Sequence, residues 1–421
     1  MSKKRYLFWG ANSAVTEKHR LTNEKFAAVG YNFGNMMIGY SVREIVQHHP
    51  ESRFLNTVKD DPEDLHREFD GIIVPASNFI NSYADYSAEA EFFRKVRLPV
   101  VVIGLGSQAA LHHVGPLPLH AGTERFIRVL AEKSVSLGVR GAFTMELLAK
   151  LNIHNAVPIG CASYYLRPKA ISMLGSRRPP PRETFAFVFN SDPTIYEVRA
   201  LRPQLRRFHS WGAANGGSFV PQNEKFMWDS AAQTFDTPGE LTLPTICKYF
   251  CLPDTDAALR FFQEKSHVFE CIPDWIKFMQ SKHFCIGPRF HGGIVALQSG
   301  VPTQFMVHDR RTQELVECLG LPWFTLDQWS ESSSPFEVCR KTDYRPTLRK
   351  FPQLLQRFLD FLHSNHLETD ETYLQDAESV VRNSAAANGS AHALQRSWNF
   401  LRQLFATNAA VVLAAILAGL K

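Results

Sequence analysis

The chain has 421 residues, 45% of them hydrophobic and 21% charged, which suffices for a substantial core and, at roughly 150 residues per domain, for two or three domains. Lys and Arg number 46 against 41 Asp and Glu, a net charge of +5; that balance excludes nucleic acid as the default partner and leaves room for a local anion site. Seven cysteines in so long a chain, with no basic-then-apolar leader, predict reduced thiols and a cytoplasmic setting.

In chain order, short apolar runs alternate with amphipathic stretches: 6–9, 36–48, 71–75 and 100–103. The alternation predicts βαβ units and a parallel sheet, an α/β fold. The runs 71–74 and 99–103 read as strands covered on both faces. Each ends in small polar residues, Ser77 and Asn78 after the first, Gly106, Ser107 and Gln108 after the second, at the strand ends where open α/β sheets bind ligands. The sheet is expected to continue through a strand at 135–139, a helix at 142–151 and a strand at 156–160. His112, His113 and His120 lack carboxylate or thiolate partners at ligand spacing, Cys247 and Cys251 lack the second pair a zinc site needs, and no metal is expected.

A proline-rich stretch at 175–183 predicts an inter-domain linker between an N-terminal unit, 1–174, and a C-terminal one, 184–345. The second unit restarts with a strand at 184–189 and carries aromatic residues Phe208, Trp211, Phe219, Phe226 and Trp228. These read as core or cleft wall, with sugar stacking open to Trp211. A second βαβ unit follows as strand 283–286, helix 291–299 and strand 303–307. A Leu- and Phe-rich helix at 348–362 is expected to cross between the domains within 346–368. Residues 369–421 read as a flexible tail, loosest at 383–391, closed by an apolar helix at 408–420 too short to span a membrane. That last helix docks on the protein or lies on a membrane surface.

The segment Gly287, Pro288, Arg289, Phe290, His291, Gly292, Gly293 carries the most chemistry. A strand ends, a Gly-Pro turn follows, and Arg289 and His291 stand where a helix begins. A helix N-terminus and a guanidinium fork suit a carboxylate or phosphate, and an imidazole gives or takes a proton near neutral pH. Read from spacing alone, an ion-paired Arg289 and a helix-capping His291 fit equally well.

This segment resembles the Gly-x-Arg-x-His motif of the polysaccharide pyruvyl transferases. Other segments follow in that family's order: Asn32, Phe33, Gly34 and Asn35; the strand end at Gly106 to Gln108; Val139 and Arg140; Gly160, Cys161, Ala162 and Ser163; and Asp309, Arg310, Arg311, Thr312, Gln313, Glu314 and Leu315. Asn35 stands where the family usually has Asp, and Ala162 where it usually has Pro. The resemblance, over about residues 30 to 320, implies two Rossmann-like domains facing a central cleft, as in GT-B glycosyltransferases. It also implies phosphoenolpyruvate as donor substrate without a further cofactor, and a sugar or lipid-linked oligosaccharide as acceptor in exopolysaccharide or envelope glycan synthesis, at the inner membrane face. His291 and Arg289 are then the expected catalytic pair. Arg140, Arg289, Phe290, Gly292 and Arg311 are the expected donor-binding set, and Asn32, Asn35, Ser107 and Gln108 the expected acceptor or cleft residues. A nucleotide-sugar glycosyltransferase of similar architecture and a catalytically silent glycan-binding member remain open.

Overall fold

A computed structural model describes residues 3–19, 21–58, 60–174, 179–190, 202–223, 247–248, 250–329 and 333–387. Two parallel sheets form its frame. The first contains β1 (Tyr6–Trp9), β2 (Arg53–Leu55), β3 (Gly71–Pro75), β4 (Val100–Leu105), β5 (Leu137–Val139) and β6 (Ala156–Pro158), in the order β2-β1-β3-β4-β5-β6. The second contains β7 (Phe187–Phe189), β8 (Ser218–Phe219), β9 (Phe284–Gly287), β10 (Thr303–Val307) and β11 (Trp323–Thr325), in the order β11-β10-β9-β7-β8. Both sheets therefore place their second strand on one side of the first and their third on the other. The strand order reverses between β1 and β3, and again between β7 and β9. Such switch points open a crevice at the carboxyl ends of the strands.

The central strands are apolar on both faces because helices cover both. In the first sheet Phe8, Ile73 and Ile103 face one apolar cluster while Leu7, Ile72, Val74 and Val102 face another. In the second sheet Val188, Cys285 and Val307 join the first of these clusters, and Phe187, Phe189, Ile286 and Met306 line a third. One cluster thus runs unbroken from sheet to sheet and fixes the two halves against each other. The short edge strands β2, β8 and β11, of two or three residues each, were not expected.

The crossing helix is present as Arg345–Ser364. Its Phe358 ring stacks on Tyr165 with centroids 4.4 Å apart, and Phe351 meets Tyr164 edge-on at 5.3 Å. Near its start Thr347 Oγ1 donates to Gly320 O at 2.6 Å, and at its far end the Asn365 amide donates to Ser136 Oγ at 2.9 Å, so the helix reaches from the second half to the first. The chain then pairs with the first half, Gln47 N donating to Glu368 O and Asp370 N to Ile45 O. Here the expectation of a flexible tail from 369 onward is corrected. Residues Glu371–Ala387 form a helix that buries Tyr373, Ala377, Val380 and Val381. That spacing is one helical face, diluted in the sequence by polar neighbours. The apolar segment 408–420 and residues 175–178 of the 175–183 linker lie outside the described residues. No described helix is long and apolar enough to cross a membrane.

Phe208, Trp211 and Phe219 are core residues of the second half, and the Trp211 indole is 6% exposed with its Nε1 donating to Ser333 O at 3.0 Å. Burial removes Trp211 from any sugar-stacking role. Phe226 and Trp228 lie outside the described residues.

Candidate active site

A cleft of about 1240 Å³ collects side chains from the carboxyl ends of both sheets: Asn78 after β3, Gln108 after β4, Arg140 after β5, Arg289 and His291 after β9, and His308, Asp309 and Arg311 after β10. The two topologies converge on one space because each presents its strand ends to the other.

Arg140 is 1% exposed and lies across the end of β4, its Nε donating to Gly104 O at 3.1 Å. A Cβ at Gly106 would collide with its side chain, so the glycine in the strand-end motif makes room for a guanidinium. Among the described residues Nη2 of Arg140 is buried without a hydrogen-bond partner, although the residue lines the cleft. Burial pushes the Arg140 pKa down, and nearby Arg311 adds to that effect. A buried cation with an unmet donor is costly unless an anion joins it.

Arg289 is also buried. Its backbone N–H donates to Asn190 Oδ1 at 2.8 Å. Gly287, at φ +149°, permits this approach, since any Cβ there would strike Asn190. The Asn190 amide, at the end of β7, thereby fixes the turn that aims Arg289, a role with no sequence signal beyond a polar residue at a strand end. Beside it, the expectation that His291 titrates near neutrality is corrected. Burial, together with the charges of Arg140 and Arg311, pushes its pKa well below the ordinary value of 6.5, so the ring is neutral in the free protein. Its Nε2 lies 3.6 Å from Cys161 Sγ, a residue of the Gly-Cys-Ala-Ser element to which the sequence assigned no role.

Asp309 ties the two halves together. Its Oδ1 caps the helix Arg310–Leu319 by accepting from Thr312 N at 2.7 Å, and its Oδ2 accepts from Gln108 Nε2 at 3.1 Å and lies 3.1 Å from an Arg311 Nη. Burial alone would raise its pKa, but Arg311, His308 and the Thr312 hydrogen bonds outweigh it and hold the carboxyl below its usual range. Nearby, Glu314 of the same helix accepts from Thr144 N at 2.6 Å and Thr144 Oγ1 at 2.9 Å, satisfying the first turn of the facing helix Ala142–Lys150, as a capping residue would.

The amide residues expected on the acceptor side are largely occupied. Gln108 spends both ends of its amide, accepting from Asn78 Nδ2 at 2.9 Å and donating to Asp309. Asn32 Oδ1 accepts from Gly34 N at 2.8 Å, and Asn35 Nδ2 donates to Val29 O at 3.1 Å and Gly30 O at 3.4 Å. A carboxylate at 35 has no hydrogen to offer these carbonyls, so asparagine suits the loop for structural reasons. Ser107 is fully buried and does not line the cleft. Phe290 packs against Phe305 with ring centroids 5.5 Å apart. Space above Gly292 is taken by Gln222 and Asn190. Phe290 and Gly292 thus serve packing rather than ligand approach. The structure adds Tyr31, Tyr83 and Asp327 to the lining, none of them marked by a motif. Among the described residues no group of His, Cys, Asp or Glu is placed to hold a metal ion.

A family model described as polysaccharide pyruvyl transferase matches residues 32–310, a span that includes every cleft residue named so far except Tyr31, Arg311 and Asp327. No curated protein matches the chain. Among solved structures, a putative UDP-N-acetylglucosamine 2-epimerase from Listeria monocytogenes is similar at 11% identity and TM-score 0.38, covering 92% of this chain and 97% of its own. UDP-GlcNAc 2-epimerase from Methanocaldococcus jannaschii is similar at 10% identity and TM-score 0.36, covering 85% and 99%.

Proposed function

Since the chain belongs to the polysaccharide pyruvyl transferase family, we propose that its cleft binds phosphoenolpyruvate and transfers the pyruvyl unit to two hydroxyls of a sugar as a ketal. The observation that supports this reading is the convergence of Arg140, Arg289, Arg311 and His291 on one cleft, with an unmet donor on Arg140. A phosphate and a carboxylate on a three-carbon frame need several cationic forks at close range.

In this reading the donor also prepares the acid. Burial is the larger cause of the low His291 pKa, and an anion beside Arg140 and Arg311 offsets the part that their charges add, so the pKa rises. Protonated His291 then gives a proton to the methylene carbon of phosphoenolpyruvate. An acceptor hydroxyl attacks the central carbon, phosphate leaves, and a second hydroxyl closes the ketal. Of the two hydroxyl protons, one restores His291 and the other departs with phosphate. The arginines stabilise the leaving group. The acceptor is a sugar, free or within a lipid-linked oligosaccharide.

Asp327 in the cleft lining is a carboxylate of the kind that binds a ribose, and it gives a nucleotide sugar its claim as alternative donor. Thermal stabilisation of the wild type and of Arg289→Ala by phosphoenolpyruvate and by a panel of nucleotide sugars decides between them, because a ligand of the native state raises the melting temperature. A shift with phosphoenolpyruvate that Arg289→Ala removes is expected. Stabilisation by nucleotide sugars alone would replace the proposed reaction with glycosyl transfer.

A further inference from the structure

Cys161 and His291 come from opposite halves of the molecule. Cys161 follows β6 in the first half, is completely buried and is absent from the cleft lining. His291 opens the helix Phe290–Gln298 after β9 in the second. Their contact, Sγ to Nε2 at 3.6 Å, crosses the seam between the sheets. A third member completes a chain: Ser163 Oγ donates to Cys161 Sγ at 3.0 Å, also in a buried setting.

The directions of these hydrogen bonds fix the imidazole. Sulfur is a weak acceptor, and here it already receives the Ser163 hydroxyl, so its own hydrogen is the one available to the ring. His291 is neutral for the reasons given above, and a neutral imidazole carries one hydrogen on one of two nitrogens. If Nε2 accepts from the thiol, that hydrogen sits on Nδ1. No protein partner of Nδ1 is present among the described residues, whereas the ring itself lines the cleft. We propose that Cys161, supported by Ser163, is a positioning residue that holds His291 in its Nδ1–H form, so that the ring presents a hydrogen-bond donor to an anion in the cleft.

The inference rests on the reading of His291 as the group that handles the proton, but it makes a claim about the free protein that needs no donor. Isolated imidazoles in water favour the opposite form, with hydrogen on Nε2, so the tautomer is a diagnostic of the contact. It gives a residue outside the cleft lining a part in the site: the first half supplies the orienting group for the second half's imidazole, as a buried carboxylate orients the histidine of a hydrolase triad.

The test is nuclear magnetic resonance of the full chain labelled with nitrogen isotope in histidine, without ligand at neutral pH, with the His291 signal assigned by its loss in His291→Gln. The wild type is expected to show the Nδ1–H pattern. Cys161→Ser retains a donor and should retain the pattern, whereas Cys161→Ala should move His291 toward the Nε2–H form. Thermal stabilisation by phosphoenolpyruvate, run on the same samples, reports the donor site separately. A wild-type ring already in the Nε2–H form, or one unmoved by Cys161→Ala in a folded sample, overturns the positioning role whatever phosphoenolpyruvate does. A tautomer that behaves as stated without any stabilisation by phosphoenolpyruvate keeps the positioning role and removes the proposed donor. With a competent acceptor in hand, kcat should fall on the order of tenfold in Cys161→Ala and recover in Cys161→Ser, while the KM for phosphoenolpyruvate stays near the wild-type value.

Discussion

The two walls of the cleft use their polar residues in opposite ways. The loop at Asn32 and Asn35, with Gln108 beside it, spends its amides on neighbouring backbone and on Asn78 and Asp309. On the other side His291 brings an imidazole driven to neutrality into the cleft, and Arg140, from the same sheet as Gln108, joins it as a buried cation with an unmet donor. The first wall is built to hold the fold together. The second is built to be completed by an anion. Groups that lose stability in the free protein mark a ligand site more sharply than groups that are merely polar and exposed.

Substitutions on either wall should therefore separate binding from stability. The largest effect is expected from Arg289→Ala, which removes a guanidinium fork aimed by Asn190. Phosphoenolpyruvate affinity should drop about a hundredfold, roughly 2.7 kcal/mol, by calorimetric titration, with little change in denaturant midpoint. Next comes Gln108→Leu, which leaves Asp309 and Asn78 each short of a partner. Chemical denaturation should show a loss of roughly 1–2 kcal/mol while phosphoenolpyruvate affinity is largely kept. Asn35→Asp should cost about 1 kcal/mol, since the carboxylate cannot donate to Val29 O and Gly30 O, and should confer no gain in donor binding. Equal losses of affinity from all three would erase the distinction between the walls.

The pH dependence of stability sharpens the same contrast. His291 in the folded protein has a pKa well below 6.5, so below about that pH the unfolded chain binds a proton that the native state refuses. The native state therefore loses stability as pH falls through the unfolded value and down to the folded one. Melting curves of the wild type should show this acid loss, and His291→Gln should show less of it.

How much of this was legible in the sequence follows from what each signal depends on. The long apolar strands and the Leu- and Phe-rich crossing helix announce themselves by period, as does the strand-turn-helix unit around Arg289. The edge strands β2 and β11 do not, since none of their residues is fully buried, and β8 is only two residues long. Helix Glu371–Ala387 was read as tail since its buried face is narrow. At the site, the turn and helix start at Arg289 and His291 point to an anion from sequence, whereas Arg140 and Arg311 join them only through the family resemblance. What sequence could not supply was the environment: the neutrality of His291 depends first on burial and then on Arg140 and Arg311, and the occupancy of Gln108 depends on Asp309, 201 positions away. Likewise Gly292, expected in the donor-binding set, accommodates Gln222 and Asn190, and Gly106 at the strand end accommodates Arg140.

The most direct test of the account is the proton titration of the His291 ring by nuclear magnetic resonance, without and with saturating phosphoenolpyruvate. The account predicts a ring that stays neutral well below pH 6.5 in the free protein and takes up a proton at distinctly higher pH once the donor fills the cleft. A ring that titrates at its ordinary value in the free protein, or whose titration ignores phosphoenolpyruvate, would contradict it.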